Sequence, residues 1–126
     1  MADSGWAVLK SAVAAGDLVL ERGLAERCAT RCDQSIGDLR ELRDRAVDLA
    51  VVEGFGDKLP SGVALAAKFG RKASGGDYSL DTAIGDHITV VEQMRDVFLQ
   101  IEARYAAAEE ANTAAMTVVE SRINSD

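Results

Sequence analysis

A single proline, Pro60, stands in this chain of 126 residues, and its near absence constrains the fold more than any other feature. Proline interrupts helix interiors, so the 59 residues before it and the 66 residues after it can form long helices. Alanine supplies much of the apolar content, and it is the best helix former but buries little area. Only six residues are Phe, Tyr or Trp. These features predict an all-α chain with a thin core.

Glycine and proline divide the chain into three segments. Residues 5–52 and residues 79–123 carry helical patterns, whereas residues 53–77 hold Pro60 and six of the eleven glycines. The sequence therefore predicts a single domain, residues 1–126, in which two long helices form an antiparallel hairpin. A short helix from Leu59 to Phe69, closed by Gly70, is predicted inside the connector.

The third segment gives the clearest periodicity. Apolar or small residues recur there at steps of three and four: Ile84, Ile88, Val91, Met94, Phe98, Ile101, Tyr105, Ala108, Ala115, Val119 and Ile123. Such steps place side chains on one face of a helix, and the seven-residue spacings within the series are coiled-coil-like. A hairpin with one apolar face cannot bury that face alone. The stripe therefore predicts a four-helix bundle on dimerisation, with a partner interface at Val91, Met94, Phe98, Ile101 and Ala108.

Polar residues mark the start and the middle of this helix. Ser79 is predicted as its N-cap, with Asp81 in the first turn, where the helix dipole favours a negative charge. Asn112 occupies the stripe position between Ala108 and Ala115. Either the helix drifts toward solvent there, or the asparagine fixes the pairing register.

The first segment is interrupted near its beginning. Gly16 and Gly23 predict a break or kink, so that residues 9–20 form a separate short helix. The longer helix that follows is predicted to end in the Gly54-Phe55-Gly56 turn. Trp6 either packs onto the hairpin or anchors a partner groove.

Few side chains are candidates for catalysis or metal binding. Cys28 and Cys32 lie one helical turn apart, but structural zinc needs four ligands and the chain has one histidine, His87. The two cysteines are interpreted as small buried apolar residues in a reducing cytoplasm; a disulfide or a metal shared across a dimer is the alternative. His87 has no nearby nucleophile. The sequence thus predicts no catalytic residue, cofactor or metal ligand, and a protein that is not an enzyme.

Net charge and hydropathy exclude some classes of binding partner and some cellular locations. The formal net charge of −7 disfavours nucleic acid and anionic membrane surfaces. The sequence contains no run of 18 apolar residues, so it predicts no membrane-spanning helix. Asp3 and Lys10 disagree with a Sec signal peptide. The expectation is a cytoplasmic protein that is then secreted or displayed on the cell surface by a Sec-independent route.

The sequence from Tyr105 to Glu109 resembles the Tyr-x-x-x-Asp/Glu export signal of the WXG100, or ESAT-6-like, superfamily. That family folds as a long helix-turn-helix, pairs into four-helix bundles and is exported folded by an ATPase-driven type VII secretion machine. The family's Trp-x-Gly turn is absent here, and Gly54-Phe55-Gly56 stands in the corresponding place. The resemblance implies a divergent secretion substrate, or a targeting partner or chaperone of a larger effector, with Tyr105 and Glu109 as the secretion motif.

Another interpretation uses the same residues. A tyrosine on the buried stripe can be a core residue with no role in export. The chain would then be a cytoplasmic homodimeric adaptor or scaffold that acts through helix packing alone. The two hypotheses differ in whether Tyr105 is recognised by a secretion machine.

Overall fold

A computed structural model describes residues 2–125, with side chains from residue 5 onward. Over these residues the chain has four helices and no strand, which confirms the all-α prediction. The helices are α1 (Ala2–Ala15), α2 (Leu24–Asp48), α3 (Pro60–Ala73) and α4 (Leu80–Asn124). The long second helix of the sequence prediction is α4, with 45 residues.

A group of short polar side chains fixes the start of α4. The Ser79 carbonyl accepts the first helical hydrogen bond from the Ala83 amide, 3.0 Å away, as expected of an N-cap. The Ser79 hydroxyl donates to the Asp81 carboxylate instead of accepting from the helix. Asp81 also accepts from the Ser74 hydroxyl at 2.7 Å and from the Thr82 amide at 2.9 Å. These bonds, led by the one from Ser79, lower the pKa of Asp81.

Tyr78 adopts an uncommon backbone conformation just before this cap. Its φ of +45° lies in the left-handed region, which a residue with a Cβ adopts at some cost. A hydrogen bond from its phenol to Asp86 and the charge of that carboxylate raise the pKa of Tyr78. The left-handed residue turns the chain sharply into α4.

The first two helices end earlier than the sequence suggests. The predicted break falls at Gly16, where φ is +82°, so α1 stops at Ala15 and Leu18 and Leu20 are not helical. The prediction that Gly54 and Gly56 end the longer helix is wrong, because α2 stops at Asp48. The residues between Asp48 and Pro60 form an irregular connector, in which both glycines have positive φ.

Gly70 does not close α3 as predicted; it lies inside the helix and is buried. A Cβ added at Gly70 would meet the carbonyl oxygen of Ala50, so the absent side chain lets the connector pack directly on α3. The helix continues one turn further, to Ala73, and the Ser74 amide caps it on the Gly70 carbonyl at 3.1 Å. Close packing thus explains this glycine better than helix termination does.

Contacts divide the chain into two compact units. Unit 1 combines the residues up to Arg31 with those from Gln93 onward, and unit 2 is Cys32–Glu92. The buried apolar residues of unit 2 are Cys32, Ile36, Ala46, Ala73, Ile84, Ile88 and Val91. Those of unit 1 are Val13, Ala25, Ala29, Val97 and Ile101. The small side chains in both sets keep each core thin, as the composition indicates.

Two glycine substitutions should have opposite effects on stability. Gly70→Ala forces a methyl group against the Ala50 carbonyl and should destabilise the protein by about 1–3 kcal/mol. Gly37→Ala, in an open position of α2, should stabilise it by about 0.5–1 kcal/mol through helix propensity. Urea denaturation followed by circular dichroism measures both. A neutral Gly70→Ala would show that the packing against Ala50 is absent.

Candidate interaction site

In unit 1, α1 lies along the middle of α4. The Gln100 side-chain amide donates to the Lys10 carbonyl at 3.0 Å, and the Arg104 guanidinium donates to the Ala14 carbonyl. Both bonds join residues 90 positions apart. Since the offset is constant, α1 and α4 run in the same direction, a pairing that no local sequence pattern reveals.

An apolar cluster holds this pairing together. Its buried members are Val13 from α1, Ala25 from α2, and Val97 and Ile101 from α4. Partly buried side chains pack around them: Trp6, Leu18, Leu20, Phe98 and Tyr105. The packing of Trp6 onto its own chain is therefore confirmed. The small Ala25 side chain leaves room for the larger residues around it.

The linker between α1 and α2 is tied to α4 by the two residues of the predicted secretion motif. The Tyr105 hydroxyl donates to the Leu20 carbonyl. The Glu109 carboxylate pairs with the Arg22 guanidinium, and both of these side chains are largely exposed. The structure thus brings Tyr105 and Glu109 together on one surface, where each has a partner within its own chain.

A small cavity opens between this linker and α4. It has a volume of about 100 Å³ and is lined by Leu18, Val19, Ile101, Arg104, Tyr105 and Ala108. Its two polar side chains, Arg104 and Tyr105, already donate to backbone carbonyls. The other four lining side chains are apolar.

Beyond Tyr105, α4 is exposed, although Ala108 lines the cavity and Glu109 pairs with Arg22. Every residue from 106 to 125 is exposed. Met116 and Ile123 are 70% exposed, and Val119 is 51% exposed. Their spacings of three and four place these three side chains on one face of the helix. We call residues 106–125 the α4 tail.

The residues of the predicted partner interface lie in different environments. Ile101 is only 2% exposed and belongs to the unit 1 cluster, with Phe98 beside it. Val91 is buried within unit 2. Met94 and Ala108 are exposed, and Ala108 lies at the edge of the cavity. The chain's own α1 therefore covers part of the face that was assigned to a partner.

The predicted turn residues lie in unit 2. Phe55 stacks on Phe69 of α3, with ring centroids 5.8 Å apart and an angle of 8° between the planes. Gly54 and Gly56, on either side, have φ values of +102° and +82°. Phe55 thus packs the connector onto α3.

The remaining candidates are the two cysteines and the side chains that could ligate a metal. Cys28 and Cys32 are not joined in a disulfide, and the first is half-buried and the second buried. Within residues 5–125, no group of three or more His, Cys, Asp or Glu side chains is placed to hold a metal ion. None of the four helices, over the same residues, has the length and apolar run that a bilayer crossing needs.

Sequence reasoning did not find the residues that complete this site. Leu20 and Arg22 lie in a linker without periodicity, and they contribute through a carbonyl and a charge whose partners are more than 80 positions away. Met116 was also missed because it lies beside the stripe and not on it. A helical projection that included Met116 with Val119 and Ile123 would have found this face.

The chain matches no protein-family model, no curated protein and no solved structure. The resemblance to the WXG100 superfamily therefore stays a prediction that rests on Tyr105 and Glu109.

Substitutions of Tyr105 and Glu109 should lower the free energy of unfolding by different amounts. Tyr105→Phe keeps the ring but leaves the Leu20 carbonyl without its donor, and should cost about 0.5–1.5 kcal/mol of unfolding free energy. Glu109→Gln breaks an exposed ion pair and should cost less, at most about 1 kcal/mol. Chemical denaturation measures both, with hydrogen exchange of residues 16–23 as a local readout. Equal stabilities for wild type and Tyr105→Phe would contradict the assigned hydrogen bond.

Proposed function

We propose that this chain acts by packing its helices against a second helical polypeptide, as a substrate, targeting partner or chaperone in type VII secretion. The observation that carries the binding part of the proposal is the α4 tail. Nineteen consecutive residues of this long helix, 106–124, are exposed, and they include Met116, Val119 and Ile123 on one face. A second chain lying along this face would bury those side chains.

The physical logic favours binding over chemistry. An isolated helix of about 20 residues is marginally stable in water even when it is rich in alanine. Burying each large apolar side chain of the tail would contribute on the order of 1 kcal/mol. The neighbouring alanines, among them Ala108 and Ala115, would let a partner helix approach closely. The tail therefore gains order and stability when a partner covers it.

The hairpin and the bundle belong to the same proposal. In it, α2 and α4 are the two arms of the helical hairpin, and two hairpins form a four-helix bundle. The part of the predicted interface that is exposed in the lone chain, Met94 and Ala108, would contribute together with the tail. Val91, Phe98 and Ile101 would support that surface from within their own chain.

The secretion role is the narrower part of the proposal, and it depends on Tyr105 and Glu109. Both residues contact the linker between α1 and α2. A secretion ATPase that reads this motif would therefore meet the linker as well, or would displace it. The recognised surface would include Leu20 and Arg22 as well as the two motif residues.

A cytoplasmic homodimeric adaptor without export remains the second candidate. The observation that favours it is the half-buried position of Tyr105, whose hydroxyl is bonded inside its own chain. A tyrosine in this role is needed for packing whether or not the protein leaves the cell. Export of the unmodified chain separates the two candidates.

Export should depend on Tyr105 itself and not on stability. In the native host, Tyr105→Ala should retain the protein in the cells while the wild type reaches the culture medium. Val13→Ala is the matched control, because it removes packing from the same cluster without touching the motif. It should lower stability and leave export intact. Export of Tyr105→Ala at the wild-type level, or no export of the wild type, would contradict the secretion role.

A further inference from the structure

The outward face of α3 combines cations with large apolar side chains. Leu65, Lys68, Phe69 and Lys72 fall within about 100° of the helix circumference at 3.6 residues per turn. Leu65 and Phe69 are 40% and 46% exposed, and Phe55, stacked on Phe69, is 44% exposed. We call these five residues the α3 face. It is an apolar surface bordered by lysines.

The charge of α3 has one sign. The helix carries Lys68, Arg71 and Lys72 but no Asp or Glu. An open groove of about 480 Å³ adjoins its C-terminal end, lined by Lys68, Arg71, Lys72, Gly75, Gly76 and Asp77. In a chain with a net charge of −7, this concentration of cations is a local exception. It favours a partner that carries carboxylates next to apolar side chains.

The α4 tail has that composition. Its charged residues are three glutamates, Glu109, Glu110 and Glu120, and one arginine, Arg122. Glu120 lies four residues after Met116 and three before Ile123, so its carboxylate borders the exposed apolar face. None of the described ion pairs involves Glu120, Lys68 or Lys72. The two surfaces are complementary in charge and both are apolar at their centres.

We propose that the α4 tail of one copy of this chain docks on the α3 face of another copy. Met116, Val119 and Ile123 would cover Leu65 and Phe69, and Glu120 would pair with the lysines at the edge. This inference rests on the proposed function, because it names the second helical polypeptide as the same protein. At about 1.5 Å per residue the 14-residue α3 spans roughly 21 Å, and the helical part of the tail, residues 106–124, at roughly 28 Å, is long enough to cover it.

The contact joins two different surfaces, the α4 tail of one copy and the α3 face of another, and it can form once or reciprocally between two copies. Each copy offers one tail and one α3 face. Reciprocal exchange of tails would give a closed dimer, whereas head-to-tail contacts would build longer assemblies. Association should accordingly depend on protein concentration and weaken as salt screens the charges.

Charge reversal tests the pairing in both directions. Sedimentation velocity of the full chain should show self-association in the wild type. The variant Lys68→Glu with Lys72→Glu, and separately Glu120→Lys, should each weaken self-association by about fivefold or more, because attraction becomes repulsion. An equimolar mixture of the two variants should recover association, since the acidic tail of one meets the basic α3 face of the other.

Substitutions on the tail test the apolar part of the proposed contact, with a control on the opposite face of the helix. Val119→Asp with Ile123→Asp should abolish self-association, whereas Thr117→Asp with Ser121→Asp, on the opposite face, should reduce it no more than their added charge requires. Val119 and Ile123 are exposed, as are Thr117 and Ser121, so these variants should fold, and circular dichroism checks that they do.

A wild type that stays monomeric at every concentration would overturn this inference, and so would self-association that ignores both charge reversals. Failure of the proposed function looks different. It would appear as loss of export dependence on Tyr105, whatever the assembly state. A monomeric chain that is still exported through Tyr105 would leave the proposed function standing and remove only the pairing of tail and α3 face.

Discussion

The packing of α1 against α4 is the interaction on which the rest of unit 1 depends. The α4 stripe needs an apolar neighbour, and Val13 supplies one at Val97 and Ile101. Large apolar side chains such as these stabilise the protein by about 1.5–3 kcal/mol each when fully buried. The cover ends near Tyr105, and from residue 106 onward α4 is exposed to solvent. That boundary separates the part of the helix that the chain stabilises itself from the part that it leaves available.

Tyr105 lies at this boundary and links the two parts. Its ring joins the cluster of unit 1, and its hydroxyl fixes the linker through Leu20. Glu109, one turn later, holds the same linker from the exposed side through Arg22. A residue pair that the sequence suggests as a recognition signal therefore also has a structural task. That structural task holds whether or not a secretion machine reads the pair.

Long-range packing decided which sequence predictions succeeded. The scarcity of proline and the period of residues 79–123 predicted α4 to within one residue at either end, because both are local signals. The break at Gly16 was also local. Gly70 was misread because a glycine after Phe69 signals a helix end, whereas its contact with Ala50 depends on tertiary structure. The parallel pairing of α1 with α4 also depends on tertiary structure. A periodic pattern identifies the apolar face of a helix but not the element that packs against it.

The candidate site follows the same rule. The sequence places Tyr105 and Ile101 on one stripe. It does not predict whether α1 or a second molecule covers that stripe. Leu20 contributes only its carbonyl, and no sequence pattern identifies a carbonyl as a partner. The exposed apolar face of the tail was predicted in part, because the predicted stripe includes Val119 and Ile123 but not Met116.

The central claim is that α4 beyond Tyr105 is exposed to solvent in the lone chain. Hydrogen exchange measured by mass spectrometry on dilute protein tests it most directly, by comparing the amides of 106–125 with those of 93–105. The account predicts that the tail exchanges much faster, because no packing opposes its local opening. Equal and strong protection of both stretches at the lowest concentration would contradict it, since the tail would then be covered by its own chain.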